Sequence, residues 1–193
     1  MAEVKPNEEF KFYLDMDGVI SNFTAQAWPL FTKGKKYEDH EWQKWGQKME
    51  DELGIPPYRF WPTIDRAGTI FWANMPKWEW TDELIKMLGP KNICICTSPS
   101  RQPECVFGKR MWLVNNGYAN LSYAIIKHKH LMARPGRILI DDTPKKVDKW
   151  RAAGGDAILF PQPWNENYAI TDRVGYVREQ IELIDSKVGC CDA

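Results

Sequence analysis

The chain has 193 residues, enough for one domain with a full core and a modest insertion. Lysine plus arginine equal aspartate plus glutamate at 26 each, so no overall basic field draws the protein to nucleic acid. No apolar run approaches the roughly 18 residues of a membrane span, so no membrane partner is expected.

Residues 1 to 9 are polar, and Phe10 to Leu14 reads as a buried strand, short and rich in aromatic side chains. Phe23 to Phe31 suits a short helix. Tyr37 to Leu53 carries Trp42, Trp45, Met49 and Leu53 at helical spacing, with Gly54 and Pro56-Pro57 as its stop. The Pro- and aromatic-rich stretch from Ile55 to Pro76 reads as irregular. Ten tryptophans are present, and seven (Trp28, Trp42, Trp45, Trp61, Trp72, Trp78, Trp80) fall between residues 28 and 80. Such density builds either a small packed subdomain or the wall of a pocket for a planar ligand.

A regular alternation follows. Thr81 is placed as N-cap of a helix over Asp82 to Leu88, ended by Gly89-Pro90. Strands are expected at Ile93–Cys96, Tyr123–Ile126, Ile138–Ile140 and Ala157–Phe160. Helices are expected at Pro103–Asn116, near His130–Arg134, from Pro144 to Ala153, and over Asp172–Ile184. Alternating strands and helices imply an α/β fold with a parallel, doubly wound sheet. Residues 1–20 and 76–193 form its core, and 21–75 a helical, aromatic-rich cap inserted after the first strand. Cys94 and Cys96 lie in a buried strand, Cys105 near a helix start, and Cys190 and Cys191 in the tail. Buried free thiols of this kind point to a reducing, cytoplasmic setting.

Chemistry concentrates where these strands end. Asp15 and Asp17 follow the first strand, two residues apart and therefore starting on one side, and Gly18 permits a tight turn against a ligand. Asp141 and Asp142 follow the Ile138–Ile140 strand. Carboxylates gathered at one sheet edge repel unless a cation lies between them, and oxygen donors of this hardness suit Mg²⁺ together with a phosphate ester. One carboxylate of the first pair is suited to attack phosphorus and the other to pass a proton. Thr97 and Ser98, after the Ile93–Cys96 strand, and a lysine of Lys127-His128-Lys129-His130 offer a hydroxyl and a point charge for phosphate. Each feature alone also fits an ordinary turn or a solvated loop. The two histidines lack a third partner for zinc, and His40 fits a helix surface.

The order acid pair, hydroxyl, lysine, acid pair resembles the haloacid dehalogenase superfamily of phosphohydrolases over about residues 10 to 160. That likeness implies Asp15 as nucleophile and Asp17 as general acid/base. It implies Mg²⁺ on Asp15, Asp141 and the Asp17 backbone carbonyl, phosphate on Thr97 and Lys129, and Asp142 in support. Asp15-Met-Asp-Gly-Val-Ile-Ser-Asn-Phe23, Arg59-Phe60-Trp61, Ile95-Cys96-Thr97-Ser98-Pro99 and Leu139-Ile140-Asp141-Asp142 further resemble the 5′(3′)-deoxyribonucleotidases. This second likeness implies a base held by Phe23, Phe60, Trp61 and Trp72, with Ser98, Lys109 and Lys127 on phosphate or sugar.

The expected reaction is Mg²⁺-dependent dephosphorylation of nucleoside monophosphates through an aspartyl-phosphate. The expected partner is a small-molecule nucleotide rather than nucleic acid, and homodimer assembly stays open. Alternatives are a phosphatase acting on 3′-phosphate ends or a small metabolite, and a non-catalytic nucleotide-binding protein.

Overall fold

The computed structural model describes residues 10–33 and 49–189; Trp42, Trp45, His40, Cys190 and Cys191 lie outside the described residues. Five strands form one parallel sheet in the order β3-β2-β1-β4-β5. They are β1 (Phe12–Leu14), β2 (Ile93–Thr97), β3 (Ser122–Ile125), β4 (Ile138–Asp141) and β5 (Asp156–Leu159). β1 is central, and the chain extends the sheet on one side through β2 and β3, then on the other through β4 and β5. The carboxyl ends of β1, β2 and β4 therefore lie together at the topological switch point.

Every residue of β1, β2 and β4 is buried, as expected for strands covered on both faces. Side-chain alternation divides the core in two. Phe12, Leu14, Ile93, Ile95, Ile138 and Ile140 pack on one face with Trp112, Leu84 and Phe160. Tyr13, Cys94, Cys96, Leu139 and Leu159 pack on the other with Val147 and Trp150. Burial raises the Cys94 and Cys96 thiols to about 11 and about 12, leaving them inert core side chains.

Between β1 and β2 run α1 (Phe23–Ala27), a 3₁₀ turn at Trp28–Leu30, α2 (Met49–Glu52), α3 (Pro57–Arg66), α4 (Gly68–Ala73) and α5 (Thr81–Leu88). The stretch expected to be irregular is thus mostly helical. Pro57 occupies the first turn of α3, where its missing N–H is no loss, and Pro62 is tolerated inside because Phe60 and Ile64, four residues apart, bury the same face. Thr81 begins α5 without capping it. Its hydroxyl instead donates to the Ile20 carbonyl at 2.9 Å, and Trp80 Nε1 donates to the Val19 carbonyl at 2.8 Å. Both bonds tie α5 to the segment just beyond β1.

The remaining helices are α6 (Pro103–Asn115), α7 (Pro144–Ala152) and α8 (Arg173–Gly189), with a 3₁₀ turn at Lys129–Met132 where a short helix was expected. Among the described residues no helix is long and apolar enough to cross a membrane.

Candidate active site

Strand register brings the two acid pairs together. Leu14 pairs with Ile140, so Asp15 and Asp141 leave the sheet side by side, and the Asp15 N–H donates to the Ile140 carbonyl at 2.9 Å. Beyond Asp15 the chain turns at once. The Ile20 and Ser21 N–H groups both donate to the Met16 carbonyl, and Gly18 adopts a φ of 81° that side chains rarely accept.

Two lysines lie against these acids. Lys129 Nζ stands 2.7 Å from Asp15 Oδ1 and 2.6 Å from Asp141 Oδ2. Lys146, from the first turn of α7, stands 3.1 Å from Asp15 Oδ2 and 3.6 Å from Asp141 Oδ1. Burial alone would raise the Asp15 carboxyl, but the Lys129 and Lys146 charges outweigh it and hold the group well below the usual carboxylate range. Burial would lower the Lys146 ammonium; Asp141, Asp15 and Asp142 push it up instead. Oxygens of Asp15, Asp141 and Asp142 lie within 4.8 Å of one another and are all buried. An all-oxygen donor set of that span, from three carboxyl groups, fits a hard divalent cation.

Asp17 is held from another direction. The buried Lys109 ammonium, from α6, donates to Asp17 Oδ2 at 2.6 Å, Thr97 Oγ1 at 2.7 Å and the Ser98 carbonyl at 2.7 Å. All three of its protons are thereby used, and the acid, the hydroxyl and the β2 terminus become one unit. Asp17 Oδ1 has no hydrogen-bond partner among the described residues. Trp72, expected against a base, is only 2% exposed and lies beneath Lys109, whose ammonium is 5.2 Å from its ring centre. It supports the lysine from within the α4–α6 contact.

The loop after β5 escaped sequence reasoning, because its Pro161-Gln-Pro-Trp-Asn165 run reads simply as a turn. In the fold Trp164 Nε1 donates to Asp142 Oδ2 at 2.7 Å, Asn165 Nδ2 donates to the Asp142 carbonyl at 2.9 Å, and Gln162 Nε2 donates to the Gly18 carbonyl. One loop thus fixes both acid-bearing turns. Lys146 was likewise missed; its only sequence signal is a position five residues beyond Asp141.

Burial, reinforced by Asp141 and Asp15, pushes the Asp142 carboxyl up to about 7. A group raised in the folded state binds its proton more tightly there, so the stability it contributes is complete below the unfolded value of roughly 4. That contribution is lost as pH rises through about 7. Asp142→Asn should therefore match the wild type near pH 4, yet melt about 3 °C higher at pH 8 in EDTA. Differential scanning calorimetry across that range checks it, and a lower melting point at pH 8 refutes it.

One cavity opens beside the acids, and another meets it at Trp61. The first, about 350 Å³, is lined by Asp17, Gly18, Asp142, Trp164, Phe23, Phe60 and Trp61 among others. The second, about 380 Å³, lies across Trp61 and is lined by Asp65, Pro99, Ser100, Arg101 and Lys127. Trp61 is 39% exposed and runs near-parallel to Phe23, with ring centres 6.2 Å apart. Phe60 is buried and stacked on Phe31 at 4.8 Å, so its ring serves the core as well as the cavity wall. Ser98 presents its backbone carbonyl to Lys109, and Lys127 lines the second cavity.

An all-parallel sheet whose central strands deliver paired aspartates and a threonine to one edge, against a buried lysine from the turn after β3, defines a phosphohydrolase of the haloacid dehalogenase type. Residues 10–188 match the family described as 5′ nucleotidase, deoxy (Pyrimidine), cytosolic type C protein, and the chain belongs to that family of 5′(3′)-deoxyribonucleotidases. It is accordingly a 5′-nucleotidase, a phosphoric monoester hydrolase. No curated protein matches the chain.

Proposed function

We propose that the protein dephosphorylates deoxynucleoside and ribonucleoside monophosphates in the cytoplasm through a covalent phosphate ester on Asp15. The observation that carries this reading is the convergence of Asp15, Asp141 and Asp142 within 4.8 Å, against the buried Lys129 ammonium. A buried carboxylate is retained beside two others when it has a reaction to perform, and a lysine keeps it ionised and nucleophilic.

Mg²⁺ held by Asp15, Asp141 and the Asp17 backbone carbonyl would supply charge neutralisation for the phosphoryl oxygens. Lys129 adds a fixed positive charge for those oxygens, and Thr97 and Ser98 close the β2 side of the phosphate site. An Asp15 carboxylate oxygen attacks phosphorus in line as the ester P–O bond breaks, and Asp17 gives its proton to the departing nucleoside oxygen. Asp17 is suited to this because it lines the first cavity, Lys109 fixes one of its oxygens, and the other, though buried, has no hydrogen-bond partner among the described residues. Asp17 next takes a proton from water, the resulting hydroxide attacks phosphorus, and the Asp15–phosphorus bond breaks.

The helices α1 to α4, within residues 21–75, serve as a cap on this reading. Phe23 and Trp61 form the walls for the base, with Phe60 behind them, and Lys127 contacts sugar or phosphate from the second cavity.

Phosphate release from a panel of deoxyribo- and ribonucleoside monophosphates tests the proposal, with 3′-phosphorylated oligonucleotides and small sugar phosphates as competitors. Nucleoside monophosphates should be the better substrates, and EDTA should lower the rate by at least about 10³-fold, restored by Mg²⁺. Turnover that survives metal removal, or that is confined to sugar phosphates or DNA ends, overturns the assignment.

A further inference from the structure

The two lysines divide the carboxylate oxygens of Asp15 and Asp141 between them. Lys129 takes Asp15 Oδ1 and Asp141 Oδ2, while Lys146 faces Asp15 Oδ2 and Asp141 Oδ1. The second pair is what remains for a divalent cation once Lys129 holds the first. The lysines also differ in freedom. Lys129 is 3% exposed and enclosed, whereas the Lys146 side chain is 34% exposed and has solvent to turn into.

We infer that Lys146 is an internal cation that competes with the catalytic metal: its ammonium and a divalent cation exclude each other at Asp15 Oδ2 and Asp141 Oδ1. Two cations drawing on the same two oxygens repel at short range in a site largely shielded from water. Metal entry therefore requires Lys146 to leave, and the work of displacing it weakens apparent metal affinity. When the metal departs, Lys146 returns and keeps two adjacent buried carboxylates from facing each other uncompensated. The device sets the metal concentration at which the site becomes loaded. It also gives the unloaded protein a stable core. This inference rests on the metal site proposed above.

The test is Mg²⁺ binding without substrate, by isothermal titration calorimetry, on the wild type, Lys146→Gln and Lys145→Gln. Lys145 is the adjacent lysine, lines the first cavity, and has no ion pair with Asp15 or Asp141. Lys146→Gln should bind Mg²⁺ about tenfold more tightly, while Lys145→Gln should stay within about twofold of the wild type. Melting in EDTA provides a second readout: Lys146→Gln should melt below the wild type, and saturating Mg²⁺ should close the gap. Unchanged or weaker Mg²⁺ binding by Lys146→Gln, or equal tightening by Lys145→Gln, overturns the competition while leaving the metal site intact. A wild type that takes up no Mg²⁺ overturns both.

Discussion

Asp15→Asn should lower turnover by about 10⁴-fold or more with the fold retained, because no other group is placed to take over as nucleophile. A carboxamide oxygen is a far weaker nucleophile than a carboxylate, and the substitution removes half of the anionic pair that Lys129 and Lys146 bridge. The backbone contacts can persist. The Asn oxygen can still accept from the Met16 N–H, which meets Asp15 Oδ1 at 2.7 Å, and the Asp15 N–H still reaches Ile140. Lys129 keeps Asp141, so the buried ammonium is not orphaned, and Lys146 can turn to solvent. The stability cost should be about 1–3 kcal/mol, well short of unfolding the protein.

The same substitution has a pH signature. Asp15 has its carboxyl depressed in the folded state, so its contribution to stability is present above the unfolded value near 4 and lost as pH falls below it. Asp15→Asn should therefore be destabilised most at neutral pH and approach the wild type in acid. Phosphate-release kinetics combined with circular dichroism melts from pH 3 to 7 measure both effects. A variant that turned over nucleotides at the wild-type rate would remove Asp15 from the reaction.

Gly18→Ala should cause at least about a 10²-fold loss of activity and cost about 2–4 kcal/mol of stability. Two costs add. The φ of 81° disfavours any side chain by about 1–2 kcal/mol. A Cβ there would also stand 2.2 Å from Asp142 Oδ2 and 3.1 Å from the Trp164 ring. Asp142 cannot simply turn aside, since Trp164 and Asn165 hold both its carboxylate and its carbonyl. Gly154→Ala separates the two contributions, because Gly154 has a φ of 89° but nothing within 4 Å of an added Cβ. That variant should lose only the backbone cost and keep full activity. Chemical denaturation and steady-state kinetics on both variants make the comparison, and equal losses would mean that the clash with Asp142 is absorbed.

Much of the architecture was legible before folding was considered. Short apolar runs marked all five strands within a residue or two, and β1, β2 and β4 read most plainly because a strand covered on both faces has little room for polar side chains. The Asp15/Asp17 and Asp141/Asp142 pairs stood out because polar residues at the ends of buried strands emerge at the ligand-binding edge, whereas Thr97 and the choice of Lys129 over Lys127 came from the family resemblance. The helices α3 and α4 were not legible. Prolines normally break helices, and only packing of Phe60, Ile64 and Phe71 against the core decides that these do not.

By itself the sequence determined the parallel α/β class and the residue types at the strand ends, because both follow from local pattern. Tertiary structure alone decided which groups meet. It brought Lys109 from α6 onto Asp17, Lys146 from α7 onto Asp15, and Trp164 and Asn165 onto Asp142, contacts spanning 92, 131, 22 and 23 positions along the chain. It also placed the buried Trp72 under Lys109 and behind Phe23. Such pairings depend on strand order, register and helix placement, which no local run of residues encodes.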